Sequence, residues 1–140
     1  MAFELDGKLK EDSLILGSFK LCMLLRIKDQ NYPWYVLVPQ RASLREVYEL
    51  NEADRQQYYK ESHQVCEALV AFYKPDKINL ASIGNVVAQL HIHHIARFRD
   101  DISWPAPVWG SVPMRLDEPE LLRQDSLEFV RLLSDFVKAD

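Results

Sequence analysis

A chain of 140 residues fits one domain, large enough to bury a core without covalent staples. Its 48% apolar and 27% charged residues are ordinary for a soluble globular protein, and a formal charge of -4 with pI near 5.6 argues against a duplex nucleic-acid binder. No apolar run approaches the roughly 18 residues of a membrane span. The start Met1-Ala2-Phe3-Glu4-Leu5-Asp6 also lacks a basic segment followed by an apolar one, so a cytoplasmic location is expected.

Residues 1–12 are polar and predict a short helix or an arm. Residues 13–17 read as a first strand and 20–27 as a second. Lys28-Asp29-Gln30-Asn31-Tyr32-Pro33 makes a turn, and 35–38 is a third strand ending at Pro39. The second and third strands form an antiparallel hairpin. Asn51 caps a long helix, with Asp54 three residues on as a weaker capping box. Ser62, Val65, Cys66, Leu69, Val70 and Tyr73 follow one helical stripe, which Pro75 ends. Residues 77–83 predict a fourth strand and 89–97 a fifth. The segment 103–113, with Trp104, Pro105, Pro107, Trp109 and Gly110, reads as an irregular loop. A final helix presents Phe129, Val130, Leu133, Phe136 and Val137 on one face.

Strands gathered together, with helices between and after them, predict an α+β domain: an antiparallel sheet of about five strands, one long helix and a C-terminal helix. A single domain is expected over 1–140, its core about 14–110 and a helical extension about 117–138. Cys22 and Cys66 stand outside any CxxC or CxxxH context and read as free thiols in apolar surroundings. No cofactor is implied.

Three of the four histidines fall within Gln89-Leu90-His91-Ile92-His93-His94-Ile95-Ala96-Arg97. On a strand, side chains alternate, so Gln89, His91 and His93 share one face while Leu90 and Ile92 share the other. Two imidazoles about two strand rises (roughly 6–7 Å) apart suit a small anionic group or a metal ion. His94 belongs to the opposite face, as a structural or interface residue. His63, alone on the long helix, reads as a surface residue.

The run Gly84-Asn85-Val86-Val87-Ala88-Gln89-Leu90-His91-Ile92-His93 resembles the signature of the histidine-triad (HIT) superfamily of nucleotide hydrolases and transferases: three histidines alternating with apolar residues on a strand entered from a glycine turn. Tyr32-Pro33-Trp34-Tyr35-Val36-Leu37-Val38-Pro39 is similar to that family's Pro-Gly-His-x-Leu-Val-x-Pro strand. The likeness runs from about Leu14 to Arg97, and the segment 97–110 resembles a tail of one bacterial branch. The resemblance implies a HIT-like fold and a covalent mechanism on a dinucleoside polyphosphate or nucleoside phosphoramidate. His91 would attack the α-phosphorus as a neutral imidazole, and His93 would hydrogen-bond a phosphate oxygen. It also implies a homodimer.

Two positions depart from the pattern. Gln89 replaces the first histidine of the triad and cannot shuttle a proton, and Tyr35 replaces the upstream histidine, with Trp34 in place of glycine. Loss of a general acid slows leaving-group departure by about 10²–10⁴-fold. A nucleotide-binding module with little catalysis is therefore an alternative. The likeness further implies that Asn85 contacts phosphate, or simply forms the turn after Gly84. Asp29 would reach the ribose hydroxyls, or serve as a turn residue. Trp34 and Tyr35 would border a base pocket, or cap the core. Trp104 and Trp109 are expected to bury against a neighbour, and Arg97 and Arg99 to be solvated or to reach a phosphate. A third reading is a metal protein using His91 and His93, whose nearest carboxylates, Asp100 and Asp101, lie past the strand.

Overall fold

The structure, a computed structural model, describes residues 2–140; Met1, part of the expected N-terminal arm, lies outside them. Six strands build one sheet: β1 (Ser13–Ser18), β2 (Cys22–Ile27), β3 (Trp34–Pro39), β4 (Lys77–Ala81), β5 (Ile92–Arg97) and β6 (Val137–Lys138). Their order is β4-β5-β3-β2-β1-β6, and every neighbouring pair is antiparallel. Three α-helices accompany them: α1 (Gly7–Glu11), α2 (Glu52–Tyr73) and α3 (Pro119–Val130). The class is α+β, as the sequence predicts, with one strand more than expected.

The extra strand comes from the C-terminus. The final helix ends at Val130, and Asp135 adopts a left-handed backbone (φ 52°) that breaks any continuation. Phe136 then packs edge-on against Phe19, and Val137 and Lys138 pair with Ser18 and Gly17. Gly17 is required there: a Cβ would lie 2.2 Å from the Val137 carbonyl oxygen. Val137, expected on a helical face, is exposed.

Asn51 caps α2 as expected, its side-chain oxygen accepting from the Asp54 amide at 2.8 Å. The Asp54 carboxylate binds the Arg41 guanidinium instead of reaching back to the cap. The buried stripe of α2 is Tyr58, Glu61, Ser62, Val65, Ala68 and Leu69, whereas Val70 faces solvent. Buried Glu61 is satisfied by the amides of Leu21 and Cys22 and by Gln57.

Strand periodicity divides the core in two. Cys22, Leu24, Tyr35, Leu37, Ile92 and Ala96 face α2 and α3, while Leu25, Ile27, Trp34, Val36, Val38 and Ile95 face α1 and the loop carrying Val108. Every residue of β3 and β5 is buried because both faces of the central sheet are covered. Each large apolar side chain so buried contributes about 1.5–3 kcal/mol. The histidine segment therefore enters the centre of the sheet, between β3 and edge strand β4.

Candidate active site

On the α1 side of the sheet lies a cleft of about 580 Å³. His91 and His93 both line it, with ring centroids 5.0 Å apart, although the strand proper begins only at Ile92. Gly84 and Asn85 form the turn before the histidine segment and also line the cleft; Gly84 has φ 74°, a conformation that glycine adopts without strain. Ile27, Trp34, Val87 and Trp109 make much of the apolar wall.

The hydrogen bonds fix the proton on each ring. The Gln89 carbonyl can only accept, so His91 donates through Nδ1–H at 2.7 Å, and the neutral ring carries its lone pair on Nε2. The Trp34 indole can only donate, and it does so to His93 Nδ1 at 2.9 Å. His93 therefore carries its proton on Nε2. Burial, with His91 and His94 alongside, pushes the His93 pKa down to about 3, so this ring stays neutral. The cleft thus presents an acceptor nitrogen on one imidazole and an N–H donor on the next. Trp109 packs edge-on against both His93 (4.8 Å) and Trp34 (5.6 Å). The sequence placed Trp109 only in an irregular loop expected to bury against a neighbour, and nothing in its local spacing ties it to a histidine some sixteen residues earlier.

Several expected site residues lie elsewhere. Tyr35 does not border the cleft. Strand alternation sends it to the other face from Trp34, where it stacks on Phe129 at 4.1 Å and bonds Arg26 and Tyr73. Arg26 and Tyr73 both reach the Asp125 carboxylate of α3, and burial pushes the Tyr35 phenol up to about 12. Asp29 is buried as a turn residue, its carboxylate accepting from the amides of Asn31 and Arg115. Gln89 bonds the N-terminal segment, to the Asp6 amide and the Glu4 carbonyl. Arg97 is neither solvated nor aimed at the cleft: it is 1% exposed and bonds Asp101, Asn79, Ser103 and the Ala106 carbonyl. Arg99 is exposed and pairs with Asp76. His94 is sealed under α2, and His63 is exposed beside Glu67.

Among the described residues, no group of three or more His, Cys, Asp or Glu side chains is placed to hold a metal ion, and no helix is long and apolar enough to cross a membrane. Asp101, one of the two carboxylates past the strand that the metal reading names, is engaged by Arg97 at 2.8 Å.

A family model described as the HIT domain matches residues 8–100. Among solved structures, a histidine triad protein from Bradyrhizobium japonicum is 38% identical, with a TM-score of 0.92, and the match covers 96% of this chain and 100% of that one. A histidine triad protein from Sinorhizobium meliloti is 37% identical, with a TM-score of 0.90 and coverage of 94% and 97%. A third, from Marinobacter aquaeolei, is 36% identical, with a TM-score of 0.87 and coverage of 96% and 100%. No curated protein matches the chain.

Proposed function

Given that this chain belongs to the HIT-domain, or histidine triad, family of nucleotide-binding proteins and hydrolases, we propose that it cleaves a small nucleotide at the α-phosphorus through a nucleotidyl-histidine intermediate on His91. One observation supports this above the rest: two adjacent imidazoles in an open cleft, with opposite tautomers held by the Gln89 carbonyl and the Trp34 indole.

The chemistry follows from those protons. The His91 Nε2 lone pair attacks phosphorus, an N–P bond forms, and the bond to the leaving group breaks with its electron pair. His93 Nε2–H donates to a phosphate oxygen and steadies the charge gathering there. Water then attacks phosphorus, the N–P bond breaks, and its electrons return to Nε2, giving a nucleoside monophosphate after loss of the water proton. Asn85 faces the phosphate from the turn, and the apolar wall of Trp34, Trp109 and Ile27 receives the base. Dinucleoside polyphosphates and nucleoside phosphoramidates are the substrate classes. With the Gln89 carboxamide engaged by backbone, that position supplies no proton to the leaving group. The same observation favours a second reading, a nucleotide-binding module with little turnover.

Brief incubation with a dinucleoside polyphosphate or a nucleoside phosphoramidate, followed by mass spectrometry, tests the mechanism. A nucleotidyl adduct on His91, absent from His91→Asn, is the expected result. Tight binding of AMP without any adduct favours the binding module. The protein is further read as a cytoplasmic homodimer, and a monomeric mass by light scattering would refute the dimer.

A further inference from the structure

Gln89 stands where the family pattern has its first histidine, yet its side chain faces the N-terminal segment. Its Oε1 accepts from the Asp6 amide at 2.9 Å, and its Nε2 donates to the Glu4 carbonyl at 2.9 Å. Leu5, between those two contacts, is buried, as is Leu9 one turn later. Asp6 in turn caps α1, its carboxylate accepting from the amides of Lys8 and Leu9. A helix of five residues does not form by itself, so these tertiary contacts hold it.

The consequence is chemical. So held, α1 carries Lys8 and Leu9, with Asp12 at its end, into the wall of the histidine cleft. Lys8 is the only lysine or arginine lining that cleft among the described residues. His93 is neutral and contributes no formal charge. Lys8 Nζ lies 3.1 Å from Asp12, with side-chain exposures of 55% and 32%. An ammonium this open to water turns from Asp12 to a substrate anion with little desolvation cost, and as a compact point charge it suits phosphate.

We propose that Gln89 is a positioning residue that clasps α1, and that Lys8 forms a second anion subsite for the β-phosphate or polyphosphate of a bound nucleotide. The proposal rests on the nucleotide reading and narrows it to substrates with charge beyond the α-phosphate.

Calorimetric titration of the whole protein with AMP and with ADP tests it. ADP binds more tightly than AMP, by about threefold, the size expected of a partly exposed ion pair. Lys8→Ala removes that advantage while moving AMP affinity by less than about twofold, Lys8→Arg restores it, and Asp12→Asn, which frees the ammonium, enlarges it. Gln89→Ala lowers the ADP to AMP ratio and speeds amide exchange at Asp6, whose bond to the carboxamide is lost. A ratio that Lys8→Ala leaves unchanged, or equal weakening of both ligands, overturns the subsite. Unchanged exchange at Asp6 in Gln89→Ala overturns the clasp. Wild-type protein that binds AMP without preferring ADP refutes this subsite alone, whereas protein that binds neither refutes the nucleotide reading beneath it.

Discussion

On the helix side of the sheet, His94 donates Nδ1–H to the Ile92 carbonyl at 3.0 Å, and its Nε2 accepts from the Ser62 hydroxyl of α2 at 2.7 Å. On the other side, His91 makes the same local bond, to the carbonyl two residues before it, but no described side chain bonds its Nε2. Both rings therefore expose the same tautomer. One is spoken for by a helix, and the other opens on a cleft. The residue type and its nearest hydrogen bond do not distinguish the two rings; what packs over the free nitrogen does. His93 refines the point, because the Trp34 donor reverses its tautomer and makes it a donor to the cleft.

Substituting the two rings separates their roles. His91→Asn lowers turnover by about 10⁴-fold or more in a steady-state assay, while the urea midpoint stays near wild type. His94→Ala has the converse profile. It leaves a cavity and an unpartnered Ser62 hydroxyl, costing about 2–4 kcal/mol in urea titration, with far less effect on turnover per folded molecule. Equal loss of activity in both variants would break the contrast.

Acid sharpens it. Burial pushes the folded-state pKa of His94 down to about 4 and that of His93 to about 3, against an ordinary value of 6.5. Between those limits the unfolded chain binds more protons than the folded one, so stability falls as pH falls. The full contribution is present above about pH 6.5, and each histidine removes up to about 1.4 kcal/mol per pH unit on the way down to its folded value. His94→Phe therefore flattens the acid limb of a stability–pH curve, and a slope unchanged by it would show that His94 is not held neutral. The smallest effect belongs to Ser62→Ala, which strips the Nε2 partner from His94. A loss of about 1 kcal/mol is expected in urea titration, without change in the turnover of folded protein.

Much of the architecture was legible because it follows short-range periods. The alternation of a strand separates His91 and His93 from His94, Asn51 announces the start of α2, and the turn residues between Ile27 and Trp34 announce the hairpin. The same alternation separates Trp34 from Tyr35, so of the two only Trp34 lines the cleft, while Tyr35 takes the core role that the sequence also allows it. The sixth strand was not legible, since Val137 and Lys138 are a strand only because β1 offers them an edge beside Gly17.

The sequence by itself determined the antiparallel α+β class and the face to which each histidine turns, because those depend on backbone geometry repeated every two residues or every turn. Only the tertiary structure decided which nitrogen of each ring carries the proton, that Gln89 bonds the segment before α1, that Tyr35 and Arg97 lie in buried networks, and that Trp109 closes on His93. Many of those contacts join residues far apart in the chain, and no local spacing records which distant donor or ring will arrive.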